Sequence, residues 1–160
     1  MGLFDYPVAE KGVHADVPAV QSLSFTFLRD LPAASWKKIL AHAEVLHLKP
    51  GQTVINAGER DDSFYILSVG AAEVIVPGMG ADKVLATIAE GSVFGEVAFF
   101  DGEPRSATIR TQTSGTAIRI TREGFDRLSS WEPSLARAIL FDLGKVLALR
   151  LRWTTQHTSN

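Results

Sequence analysis

Apolar positions recur at helical spacing over residues 22–31 and 33–44. They are Phe25, Leu28 and Leu31, then Trp36, Ile39, Leu40 and Ala43, with Pro32 between the runs. That spacing predicts two helices, preceded by an irregular or partly helical lead-in over residues 1–21. The period then drops to two. Short β-branched runs follow at 45–49, 52–56, 64–68, 72–76, 83–88, 106–111 and 116–121. Turn residues separate them: Pro50-Gly51, Gly70, Pro77-Gly78, Gly91 and Gly115. Pro50-Gly51 suits the centre of a type II turn, because proline presets φ and glycine accepts φ > 0. The rhythm predicts an all-β barrel or sandwich. After it the helical period returns. Thr121 is placed to cap a short helix over 122–131. Pro133 fits a first turn, and a long helix is predicted from it to about Trp153, with a tail over 154–160. Leu135, Ile139, Leu140, Leu143, Val146, Leu147 and Leu151 make its apolar face wider than one stripe. One face is expected against the barrel and the other against a second copy of the chain, giving a homodimer; the bland alternative is a helix lying deep in its own small domain.

Composition changes this picture little. A length of 160 residues suits one domain with helical appendages, and 46% hydrophobic against 21% charged residues is ordinary for a globular chain. A net charge of −2 provides no basic field for nucleic acid. With no cysteine there are no disulfides or thiolate metal sites. No cationic segment leads into an apolar run at the N-terminus, and no run is long enough for a membrane span. A cytoplasmic protein is expected.

The chemistry concentrates in FGEVAFFDGEPRSATIR, residues 94–110, read here as an insertion between paired strands. Gly95 permits close approach of another group. Residues 96–100 are predicted to form a helical turn whose open N–H groups favour an anion. An arginine fork (Arg105), a hydroxyl (Ser106) and backbone amides suit one phosphate. A carboxylate beside them (Glu96) would repel that phosphate unless it serves a different group, and a sugar hydroxyl is the natural one. Phosphate, sugar and apolar walls describe a compact nucleotide with one negative charge. The bland alternative is an ordinary Glu96–Arg105 loop ion pair.

The run FGEVAFFDGEPRSATIRT resembles the phosphate-binding cassette of the cyclic nucleotide-binding domain family: Phe-Gly-Glu, apolar residues, a short loop, then Pro-Arg-small-Ala and a strand. The likeness extends over residues 22–153, with LKPGQTVINAGERDDSFYILSVGAAEVIV similar to the first four strands. It implies a mainly β fold with flanking helices: a double-stranded β-helix (jelly-roll) barrel over 22–132, with a long C-terminal helix over 133–153. It also implies that Glu96 bonds the ribose 2′-hydroxyl. Arg105 pairs with the cyclic phosphate, and with Glu96 when empty. Amides of Val97, Ala98, Ser106 and Ala107, next to Gly95, complete the cradle, and Val74, Leu85 and Phe94 form the wall. Ser106 leans toward cAMP over cGMP. In the activator branch, distal residues of the long helix offer small hydroxyls to adenine. The matching Arg150 and Leu151 cannot make that contact; Arg150 is read as a surface residue, with donation to a base or stacking on it as the alternative.

The expected function is therefore a stand-alone cyclic nucleotide-binding regulatory module. It acts by moving its C-terminal helix toward a dimer or an unknown downstream protein, with no direct DNA binding. The alternative is a protein–protein interaction module that keeps the fold and leaves the pocket unused. An enzyme is not expected. Of His14, His42, His47 and His157 only His47 lies in a predicted strand, short of a metal set, so neither metal nor cofactor is expected. The Gly-x-Gly of VPGMGADK lacks a strand-to-helix setting and reads as a hairpin loop.

Overall fold

The computed structural model describes residues 27, 28 and 30–157, the last by its backbone. The predicted lead-in, residues 22–26 of the first predicted helix and the tail beyond 157 lie outside the described residues.

The chain runs α1 (Ala33–Leu40), β1 (Glu44–Leu48), β2 (Thr53–Ile55), β3 (Phe64–Val69), β4 (Ala72–Val76), β5 (Lys83–Ile88), β6 (Val93–Phe94), α2 (Glu96–Asp101), β7 (Thr108–Thr111), β8 (Gly115–Ile120), α3 (Arg122–Trp131) and α4 (Pro133–His157). The strands form two antiparallel four-stranded sheets, ordered β1-β8-β3-β6 and β2-β7-β4-β5. This is the jelly roll expected. Gly51 sits at φ 73°, as the turn between β1 and β2 requires.

Strand β3 shows why the fold has three layers. Its first four residues, Phe64 to Leu67, are all buried. Successive side chains of a strand point to opposite faces, so both faces must be covered. Tyr65 and Leu67 join Val74, Leu85, Phe94, Ile109 and Ala117 in a cluster between the sheets. Phe64 and Ile66 join Val93, Phe99, Phe125, Ile139 and Leu143 beneath the helices. Burying each such side chain contributes about 1.5–3 kcal/mol, so the first sheet is held from both sides.

Four local expectations change. The helix predicted over 33–44 stops at Leu40, because Glu44–Leu48 pairs along β8 from Arg119 to Gly115. Sheet pairing outweighs helical periodicity there. Residues 27, 28 and 30 form a turn rather than the end of a helix, and Leu28 has φ 51°. Strand β7 begins at Thr108, after a bend at Ser106-Ala107. Val93 and Phe94 form a two-residue strand opposite Ile66 and Tyr65. Residues 94–110 are thus not an insertion between paired strands. They cross from one sheet to the other, since β6 pairs with β3 while β7 pairs with β2 and β4.

The Thr121 hydroxyl accepts from the Gly124 amide at 2.9 Å and caps α3 as predicted. Helix α4 starts at Pro133 and buries one stripe: Ala136, Ile139, Leu143 and Val146. Leu140 and Phe141 remain 40% and 61% exposed.

Candidate anion and hydroxyl site

The cassette is built on Gly95. Its φ of 76° turns the chain out of β6 and into α2, and Glu96 is the first residue of that helix. A Cβ on Gly95 would lie 2.9 Å from Arg105 Nη1 and 3.2 Å from Ile55 Cδ1, so glycine is what lets Arg105 lie against the backbone. Gly102, also left-handed, ends the helix, and its amide donates to Ala98 O at 2.9 Å.

Arg105 is 6% exposed. Its Nη1 donates to Gly95 O at 2.7 Å, and its Nη2 donates to Ser63 O at 2.7 Å. Its counter-ion is Asp61, 3.4 Å away, rather than the Glu96 expected from the resemblance. Asp61 also accepts from Ser63 N and Oγ at 3.0 and 2.8 Å, from Tyr65 OH at 3.2 Å and from Arg119 Nη2 at 3.4 Å. Burial pushes the Asp61 carboxyl up. The Ser63 hydrogen bonds and the charges of Arg105 and Arg119 outweigh it and bring the pKa from 3.8 to about 2. Burial and the Asp61 charge push the Tyr65 phenol up.

Glu96 pairs instead with Arg150 of α4. Arg150 Nη1 donates to Glu96 Oε1, and Nη2 donates to Val93 O at 2.8 Å. The Glu96 side chain is 1% exposed and that of Arg150 13%. Arg150 is thus not the surface residue that the sequence suggested. It carries the far end of α4 onto the cassette. Neither pairing is local in the chain. Asp61 sits in a stretch that reads as a turn, and a cation set between Leu149 and Leu151 was the one available hint for Arg150.

Among the described residues four buried side-chain N or O atoms have no hydrogen-bond partner, and two of the four are Glu96 Oε2 and Arg105 Nε. One is an acceptor and the other a charged donor, and they belong to opposite ends of the cassette. Of the remaining expected site residues, Ser106 is exposed, Val97 half-buried, and Ala98 and Ala107 buried. Val74, Leu85 and Phe94 lie together in the inter-sheet cluster. No group of three His, Asp or Glu able to hold a metal occurs among the described residues, and no helix there is long and apolar enough to cross a membrane.

Residues 45–130 match the family model of the cyclic nucleotide-binding domain, and the match contains the whole cassette. The chain belongs to the cyclic nucleotide-binding domain family. Its relatives include a cAMP-dependent protein kinase regulatory subunit from Yarrowia lipolytica, 40% identical over 81 residues, covering 51% of this chain and 21% of that protein. They also include the cAMP-activated global transcriptional regulator CRP of Pasteurella multocida, 30% identical over 131 residues, covering 81% of this chain and 60% of that protein. The chain thus spans from about a fifth to three-fifths of the length of these curated relatives. Among solved structures, a cyclic nucleotide-binding domain from Methylobacillus flagellatus superposes with a TM-score of 0.74 at 17% identity, covering 87% of this chain and 84% of that one. At that identity the likeness is one of fold.

Proposed function

We propose that this chain is a non-catalytic cyclic nucleotide receptor, with cAMP as the ligand and cGMP as the competing candidate. The observation that carries the reading is the pair of unsatisfied buried atoms. Leaving a buried polar atom unpaired costs about 1–3 kcal/mol, more where it is charged. A ribose hydroxyl donating to Glu96 Oε2 and a phosphate oxygen accepting from Arg105 Nε would satisfy both. Gly95 and the amides of Val97, Ala98, Ser106 and Ala107 would line the phosphate. Val74, Leu85 and Phe94 would back the sugar and base. The binding unit is the barrel over 22–132, and helix α4, from residue 133, is the output. The cytoplasm is the compartment this reading calls for.

Arg150 supplies one link between ligand and output. It occupies Glu96 Oε1 while the ribose takes Oε2, so helix and nucleotide share one carboxylate. Ligand binding then biases the position of α4 by the difference in its affinity for the two arrangements. The exposed Leu140 and Phe141 give the moving helix a surface for a second copy of the chain or for a downstream protein.

Titration calorimetry with cAMP and then cGMP tests the reading. Arg105→Ala should weaken binding by about 2–5 kcal/mol, since it removes a charged partner from a desolvated anion. Unchanged affinity in that variant overturns the site. No heat at millimolar nucleotide on folded protein would leave the interaction module, which the exposed Leu140 and Phe141 favour.

A further inference from the structure

Arg122, the first residue of α3, reaches back to the cassette. Its Nη1 donates to Phe99 O at 3.3 Å, and its guanidinium carbon stands 5.4 Å from the centre of the Phe99 ring. Its Nε lies 3.5 Å from Asp126 on its own helix, and half of the side chain is solvent-exposed. An ordinary surface arginine would end there. Two features make this one different. The last carbonyls of a helix lack an intrahelical N–H donor, and a cation near them is favoured by the helix dipole. In a helix of only six residues, the contact at Phe99 O lies close to that end. The ring under the guanidinium belongs to a 2%-exposed residue that meets Phe64 at 4.9 Å and Phe125 at 5.3 Å, both edge-to-face. One side chain therefore grips the cassette helix by its backbone and by its core ring. That side chain is rooted in α3, which is separated from α4 by Glu132 alone.

We infer that Arg122 is a positioning residue for signal transmission: it passes displacement of the cassette to α3, and so to α4, without touching the nucleotide. This rests on the receptor reading above. It predicts a separation that a pocket residue would not show. Arg122→Gln should leave the cAMP Kd of the full chain within about fivefold, since losing a coupling changes affinity by no more than the coupling itself. The cAMP-induced change in amide hydrogen exchange over residues 133–157 should shrink by about fivefold or more, the lower bound of a typical coupling between sites. Arg122→Lys, which keeps the charge and a donor but not the planar stack, should fall between.

A ligand-free arm separates this inference from the receptor reading. Without nucleotide, Arg122→Gln should speed exchange of the amides in 99–102 by about two- to fivefold, the size of a lost cation at a helix end. Unchanged exchange there, or a full cAMP response of α4 in the Gln variant, overturns the role of Arg122. A tenfold or greater loss of cAMP affinity also overturns it, by placing Arg122 in the pocket. If wild-type protein binds neither cAMP nor cGMP, the receptor reading falls, and the ligand-free arm still decides whether Arg122 couples the cassette to α3.

Discussion

Replacing Arg150 with alanine is the sharpest test of how the cassette is held. The wild-type pair buries a carboxylate that is 1% exposed under a guanidinium that is 13% exposed. Removing the guanidinium strands the Glu96 charge and also frees Val93 O, which now accepts at 2.8 Å. Breaking a buried pair from one side costs about 3–5 kcal/mol. The lower end applies here, because the Arg150 side of the pair keeps some access to water. A loss of about 3 kcal/mol lowers Tm by about 6–12 °C in a chain of this size. Glu96→Gln alone should cost less, about 1 kcal/mol, since the amide oxygen still accepts and the freed arginine is nearer to solvent. Adding Glu96→Gln to Arg150→Ala removes the stranded charge and should recover about 1 kcal/mol of the loss. The double-mutant cycle, read by urea denaturation at neutral pH, should then give a coupling of about 2 kcal/mol. A coupling below about 0.5 kcal/mol, the limit for independent sites, would refute the claim that α4 is latched to the cassette through this carboxylate.

Gly95→Ala should cost about 1–2 kcal/mol from its left-handed φ of 76°, and should weaken nucleotide binding further by pushing Arg105, whose Nη1 would lie 2.9 Å from the new Cβ; calorimetry beside a melting curve separates the two effects. Asp61 has a folded pKa of about 2 against an ordinary 3.8, so its contribution is present above about pH 4 and is lost as pH falls toward 2. Denaturation midpoints across that window should fall less steeply for Asp61→Asn than for the wild type; equal slopes would show that Asp61 is not held by its partners. Leu140→Glu with Phe141→Glu, both at exposed positions, should leave the melting curve within a few degrees while dissociating any dimer seen by sedimentation. A dimer that persists would place the contact elsewhere.

Seven of the eight strands were legible as short apolar runs set off by turn residues, and the long helix because Pro133 marks its start and its apolar period runs on from there. Val93-Phe94 was not legible as a strand: two residues show no alternation. Its absence hid the crossing between sheets. Cassette residues were legible as a set, from Gly95 to Ala107, because they are close in sequence. Their counter-ions were not. Arg150 and Glu96 are 54 residues apart, and only the packing of α4 along the barrel brings them together. A pattern of apolar spacing predicts which face a helix buries, yet says nothing of which distant carboxylate meets the cation at its far end.

That missing half alters the electrostatics of the site. Glu96 and Arg105 read alone look like one ion pair that a ligand must break. The structure gives each its own partner, Arg150 for Glu96 and Asp61 for Arg105, so the four side chains are neutral together without joining the two central ones. A ligand then need not separate them. In the proposed mode it would add a hydroxyl donor to Glu96 Oε2 and an acceptor to Arg105 Nε, the two buried atoms left without a partner. Arg105 is also fixed before the ligand arrives, since two carbonyls at 2.7 Å hold both terminal nitrogens. A lysine in its place would keep the charge, but its single ammonium has no planar fork to reach Gly95 O, Ser63 O and a phosphate at once. On the proposed reading the site would select by geometry as much as by charge. If the proposed ligand binds here, four charges that already cancel would take one further negative charge with one matching donor, and a polyphosphate would bring anions that no remaining cation in this set can meet.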